Sequence, residues 1–201
     1  GGLFVAMAGF AADGHAFIGK ALASGAAAVL CEKEPEGEIP YVRTDNSRRA
    51  LAVIGGNFYG HPAEAMTMIG VTGTNGKTTT TYLLKAVLEK ALGAKVGLIG
   101  TNQNMIGEEI IPTERTTPES FELQGLFARM RREGCTHVVM EVSSHALALD
   151  RVYGVFYKVG IFTNLTQDHL DFHGTMEGYC AAKALLFRNC ETGVCNAGDP
   201  W

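Results

Sequence analysis

The chain has 201 residues, 46% of them hydrophobic and 19% charged, with 17 basic against 21 acidic side chains. So large a core-forming fraction at a net charge of only −4 excludes a disordered chain. No apolar run nears the roughly 18 residues of a membrane span, and no Lys/Arg block offers nucleic acid or an anionic membrane a footprint.

Residues 1–60 read as a small α/β unit. A short strand over Leu3–Ala8 runs into a turn at Ala12-Asp13-Gly14, and His15–Ser24 is helical, with Phe17, Ile18, Ala21 and Leu22 on one face. Gly25 stops that helix, and Ala26–Cys31 is a second buried strand. After a charged loop from Glu32 to Pro40, a helix starts at the capping cluster Asp45-Asn46-Ser47 and runs through Arg48–Phe58. Tyr59-Gly60-His61-Pro62 breaks it, which places a boundary between a domain of residues 1–62 and another of residues 63–201.

From Met66 the rhythm is strand, turn, helix. Met66–Val71 is a strand, Thr72–Gly76 a glycine-rich turn, and Lys77–Leu92 a long helix ended by Gly93. A strand over Lys95–Gly100 leads to a polar loop reaching Thr117, then to a helix opened by Pro118 and closed by Gly134. His137–Val142 and Val159–Thr163 are strands, Thr175–Asn189 is a helix, and Val194–Ala197 begins a fifth strand. This alternation predicts an α/β fold with a mostly parallel sheet and right-handed crossovers. The last strand ends at Asp199-Pro200-Trp201 without a following helix, so the expectation is a C-terminally truncated chain. Five cysteines, an odd number with no CxxC, read as reduced thiols of a cytoplasmic protein. Cys190 and Cys195 lack the second pair a structural metal site requires.

Four motifs carry chemistry. Ile69-Gly70-Val71-Thr72-Gly73-Thr74-Asn75-Gly76-Lys77-Thr78-Thr79 lies between an apolar strand and a helix, the setting of a phosphate loop. Glycines let successive N–H groups turn inward around phosphate oxygens, Lys77 supplies a cation, Thr78 a hydroxyl for Mg²⁺, and the helix N-terminus its partial positive charge. The first Gly of the usual pattern is Val71 here, so the loop is the shorter Gly73-to-Thr78 form. The segment is read as a nucleoside triphosphate site.

In Val138-Val139-Met140-Glu141-Val142-Ser143-Ser144-His145, Glu141 emerges at a strand's C-terminal end, where ligands bind in open α/β sheets. A carboxylate there suits Mg²⁺ beside a phosphate loop. The segment Phe162–Gly174 contains Asp168-His169-Leu170-Asp171-Phe172-His173. Taken alone, its histidines read as structural, hydrogen-bonded ones. Lys183 sits mid-helix among small and apolar residues, with Leu186 and Phe187 on its side of the helix, the setting of a snorkelling lysine.

Together, Gly73-Thr74-Asn75-Gly76-Lys77-Thr78-Thr79, the strand ending Glu141-Val142-Ser143-Ser144-His145, the Thr163–Gly174 run and Ala181-Ala182-Lys183 resemble the Mur ligases, most closely the MurE type. The resemblance spans the chain, with residues 3–14 similar to a UDP-binding first domain. It implies an N-terminal UDP-substrate domain and a truncated central ATPase domain. The implied reaction is an ATP- and Mg²⁺-dependent amide ligation through an acyl phosphate. A diamino acid, L-Lys or meso-diaminopimelate, is added to UDP-MurNAc-L-Ala-D-Glu by a cytoplasmic monomer, without nucleic acid or membrane partners.

The resemblance also assigns residues. ATP falls to Thr72, Gly73, Thr74, Asn75, Gly76, Lys77, Thr78 and Thr79. Catalysis falls to Lys77, Glu141, His169 and Lys183. Thr78 and Glu141 would hold one Mg²⁺, with His169 and a carbamylated Lys183 near a second. Substrate falls to Phe10, Ala11 and Ala12 on the uracil side, and to Arg115, Thr116, Thr117, Ser143 and Arg151. Arg115 stands where Asn can occur and Leu149 where Gln can occur. Without an amine-binding domain, the chain alone is expected not to ligate. The alternatives are another Mur ligase step or folylpolyglutamate synthetase, the latter disfavoured by the N-terminal unit and Thr116-Thr117-Pro118. A GTPase-like switch lacks its N-K-x-D-like segment here.

Overall fold

The computed structural model describes residues 1–9 and 12–201. Its first unit is a parallel sheet of β1 (Leu3–Val5), β2 (Ala28–Cys31) and β3 (Tyr41–Arg43), in that order. The crossover from β1 to β2 carries a 3-10 turn, Gly14–Phe17, and α1 (Ile18–Ala23). β1 ends at Val5, short of the expected Ala8, which instead pairs back onto Asp13; the Asp13 carboxylate caps the turn, accepting from His15 N at 3.0 Å. β3 lay unforeseen at the end of the charged loop: three exposed residues at a sheet edge carry no hydrophobic pattern. Phe10 and Ala11 lie outside the described residues.

α2 (Ser47–Tyr59) starts where the Asn46 side chain accepts from Arg49 N at 2.9 Å and ends at the left-handed Gly60. Beyond it stands the second sheet, in the order β10-β9-β4-β8-β5-β6-β7. In chain order its elements are β4 (Thr67–Thr72), α3 (Lys77–Leu92), β5 (Val96–Ile99), β6 (Asn104–Ile106), β7 (Glu109–Ile111), α4 (Ser120–Arg132) and β8 (His137–Glu141). Then follow α5 (Ser144–Ala148), β9 (Tyr157–Phe162), α6 (Leu170–His173), α7 (Met176–Ala184) and β10 (Cys190–Cys195).

The strands from β10 to β5 are parallel, as the alternation predicts. The segment read as a polar loop instead holds an antiparallel hairpin, β6–β7, turning on the left-handed Gly107. The helix expected to reach Asn189 tightens into a 3-10 turn at Leu185–Asn189, and β10 begins at Cys190, in register with Tyr157. No described helix is long and apolar enough to cross a membrane.

Met68, Val138, Met140, Phe127, Leu123, Tyr157 and Leu186 pack on one face of the sheet, and Ile69, Val71, Val96 and Val139 with Leu84 and Leu88 of α3 on the other. Both faces of β4 and β8 are therefore apolar along their middles. The two units meet where α2 lies on α4. A Cβ at Gly55 would come within 3.3 Å of the Phe121 backbone, and the Phe58, Tyr59 and Phe121 rings cluster with centroids 5.0 to 5.6 Å apart. Asn46 and Arg49 reach Asp150 at 3.2 and 3.1 Å, tying the first unit to the segment after α5.

Candidate active site

The glycine-rich turn leaves the C-terminal end of β4 and enters α3. Gly73 and Gly76 have φ of +144° and +84°, conformations closed to most side chains, and a Cβ at Gly73 would collide with Thr163 Oγ1. α3 begins after Gly76 with no side-chain cap, so its first-turn N–H groups remain available to an anion. Thr72 Oγ1, at the base of the loop, is buried with no hydrogen-bond partner among the described residues.

A second loop, following β9, grips the first. Thr163 Oγ1 and Asn164 Nδ2 donate to Asn75 O at 2.7 and 3.1 Å, while Asn75 N donates back to Asn164 Oδ1 at 3.0 Å. Thr74 N donates to Asn164 O at 2.9 Å, and Thr166 N to Thr74 Oγ1 at 3.0 Å. Sequence motifs marked both loops but not their pairing, which depends on β4 and β9 being neighbours in the sheet.

Two lysines converge on this loop. Lys77 Nζ donates to Gly73 O and Thr74 O, both at 2.9 Å, and burial pushes its pKa down. Lys183 Nζ donates to Gly73 O at 2.8 Å and lies 4.3 Å from the centroid of the Tyr179 ring. Lys183 is only 2% exposed, which corrects the snorkelling reading. Burial first, and then the Lys77 charge, lower its pKa to about 7. Tyr179, one helical turn before it, also lies 3.3 Å from Thr74 Oγ1 through its hydroxyl.

Glu141 ends β8 at 1% exposure. Its carboxylate accepts from Thr78 Oγ1 at 2.9 Å, Thr101 N at 2.9 Å and Thr101 Oγ1 at 3.1 Å. Thr101 follows β5, the neighbour of β8, and no sequence spacing announces it. The hydroxyl and carboxylate oxygens of Thr78 and Glu141 are the hard donors Mg²⁺ prefers, set beside the glycine-rich turn. Thr79 is exposed in the first turn of α3.

His169 lies in the loop between β9 and α6. It is left-handed at φ +51°, and its ring lies 4.8 Å from His145 and 6.1 Å from Tyr179. Burial first, and then neighbouring charges, hold the pKa of His145 and of His173 down. Among the described residues no group of three or more His, Cys, Asp or Glu side chains is arranged to hold a metal.

The candidate substrate residues gather at the same sheet edge. Thr117 Oγ1 donates to Glu141 O at 2.9 Å and accepts from Ser143 N at 3.2 Å, while Arg151 Nη1 donates to Thr117 O at 3.3 Å. Thr116 Oγ1 lies 2.9 Å from Thr101 Oγ1, and Arg115 is exposed on the same loop. Arg151 and Leu149 line a cleft of about 460 Å³ that Gly9 and Arg48 of the first unit complete; Ala12 is exposed. Arg48 belongs to no motif, and only the packing of α2 on α4 brings it here.

Residues 71–201 match the model of the Mur ligase middle domain, and residues 1–65 that of the Mur ligase family, catalytic domain. The chain is 51% identical over its whole length to UDP-N-acetylmuramoyl-L-alanyl-D-glutamate–2,6-diaminopimelate ligase 1 of Clostridium acetobutylicum, covering 42% of it. It is 52% identical to the corresponding ligase of Clostridium botulinum, with the same coverage. A solved structure of such a ligase superposes with a TM-score of 0.82 at 29% identity, over 98% of this chain and 41% of that one. The chain thus spans about two fifths of the length of the relatives it matches.

Proposed function

The chain belongs to the Mur ligase family, and on that premise we propose that it carries the nucleotide face of an ATP-dependent ligase joining meso-diaminopimelate to UDP-MurNAc-L-Ala-D-Glu. The observation that carries this reading is the meeting of Lys77, Lys183 and the Thr78–Glu141 pair around one glycine-rich turn. The choice of diaminopimelate over lysine rests on the relatives, which are diaminopimelate ligases.

Thr72 to Thr79 would enclose the ATP phosphates, with Lys77 exchanging its two loop carbonyls for phosphate oxygens. Both carbonyls accept from it at 2.9 Å, so the ammonium already points at the loop and little reorganisation is needed on binding. Mg²⁺ would be held by Thr78 and Glu141, and when bound it neutralises part of the phosphate charge. Thr101 fixes the Glu141 carboxylate by two hydrogen bonds. That leaves the carboxylate oriented whether or not Thr78 turns away.

A plain ammonium at Lys183 would repel such an ion bound at this turn. The lowered pKa favours the neutral amine, the species that takes up CO₂ to give an anionic carbamate. Carbamylated Lys183 and His169 would then face a second ion. Arg115, Thr116, Thr117, Ser143 and Arg151 would hold the nucleotide-sugar peptide, with the uracil toward Phe10, Ala11 and Ala12. We divide the chain at residue 62 into a UDP-substrate unit and an ATP unit, and place the protein in the cytoplasm as a monomer.

Thermal-shift titration tests the reading. MgATP and UDP-MurNAc-L-Ala-D-Glu should each stabilise the protein, by about 2.7 kcal/mol at 100 times Kd, and a folate should not. Stabilisation by folate but not by the muramyl dipeptide would contradict it.

A further inference from the structure

Two arginines from different units share one carboxylate. Arg48, in the first turn of α2, places Nη1 3.5 Å from Glu119 Oε2, and Arg151, after α5, places Nε 2.9 Å from Glu119 Oε1. The arginine side chains are 19% and 16% exposed, so little water solvates either guanidinium. Both line the cleft, together with Ala8, Gly9, His145, Leu149, Asp171 and Phe172, so the two guanidiniums face one further carboxylate there. Burial, and then the charges of Arg115 and Arg48, depress the Arg151 pKa, against the pull of Glu119. Two guanidiniums thus share this wall, and a single carboxylate cannot use the donors of both.

Glu119 stands at the N-cap of α4 but makes no capping bond with its side chain. The carboxylate is turned to the arginines instead, in the position an incoming oxyanion would take. On the ligase reading, we infer that Arg48 is a substrate-holding residue. With Arg151 it clamps an oxyanion of the nucleotide-sugar peptide, phosphate or carboxylate, across the cleft between the two units. Glu119 orients the pair and competes with that oxyanion. Forked guanidiniums suit either group, because both present two oxygens at matching spacing.

The test is calorimetric binding of UDP-MurNAc-L-Ala-D-Glu and of UDP-GlcNAc, which has the diphosphate but no carboxylate, to wild type, Arg48→Gln, Arg48→Lys and Glu119→Gln. Arg48→Gln should weaken binding of the dipeptide by about tenfold or more, the scale of one charge-assisted contact. Arg48→Lys should recover part of it, and Glu119→Gln should tighten it by removing the competing charge. A parallel loss on UDP-GlcNAc assigns the diphosphate; a loss confined to the dipeptide assigns a carboxylate. If Arg48 merely ties α2 to α4, Arg48→Gln and Glu119→Gln weaken binding alike, and that result overturns the proposal, as does an Arg48→Gln variant of wild-type affinity. A wild type that binds MgATP but neither UDP compound would instead overturn the ligase reading, and this inference with it.

Discussion

Lys77 and Lys183, 106 positions apart in the chain, donate to the same backbone oxygen, that of Gly73, at 2.9 and 2.8 Å. Two cations on one carbonyl repel each other, and the Lys77 charge is among the causes that lower the Lys183 pKa. An anion in the loop would relieve that repulsion while Lys183 is protonated, and carbamylation of Lys183 would remove it.

The Lys183 amine should take up CO₂. With its pKa near 7, the amine is mostly protonated below that pH and mostly neutral above it, and only the neutral form reacts. The chain equilibrated with ¹³C-bicarbonate should show a carbamate carbon by NMR whose intensity grows as pH rises through about 7. Lys183→Met should lack it. A signal that survives the substitution, or none at pH 8 in wild type, counts against the carbamate.

Glu141→Gln keeps the shape but removes the charge from a side chain 1% exposed. The amide can still accept from Thr101, so circular dichroism should be unchanged. MgATP affinity should fall by about tenfold or more, on the scale of a lost charged contact, while ATP affinity in EDTA changes little. Equal losses with and without Mg²⁺ would remove Glu141 from the metal's surroundings.

Gly73→Ala should destabilise the protein by about 1–3 kcal/mol from backbone strain alone, with a further loss from its collision with Thr163 Oγ1. Adding Thr163→Ala removes the collision but not the strain at φ +144°. Urea denaturation should therefore show partial recovery in the double variant. No recovery would mean that the contact between the two loops does not limit this position.

The sequence made the strand, loop and helix around Lys77 legible because the signals there are local: an apolar strand, glycines, and a helix bounded by Lys77 and Leu92. It concealed the β6–β7 hairpin, whose strands are three residues long, too short for alternation to show. β10 was expected late because Glu191, Thr192 and Gly193 on this edge strand are exposed and lack a core pattern. The site was legible in its residue types but not in its pairings. Thr101 reaches Glu141, Asn164 grips Asn75 and Arg48 joins Arg151 only because neighbouring strands and packed helices deliver them. Lys183 misled for the same reason: its ammonium donates to Gly73 O, a partner 110 positions away that the fold alone brings to it.

MgATP binding to wild type and to Lys77→Met, by titration calorimetry on the folded chain, bears most directly on the nucleotide site. The methionine keeps the unbranched stem and removes the ammonium that donates to Gly73 O and Thr74 O. Wild type should bind saturably, with Mg²⁺ strengthening the interaction. Lys77→Met should lose about two orders of magnitude in affinity, comparable to the removal of one preorganised charge contact, with its circular dichroism intact. A variant that binds MgATP as tightly as wild type would contradict the assignment of this loop to the phosphates.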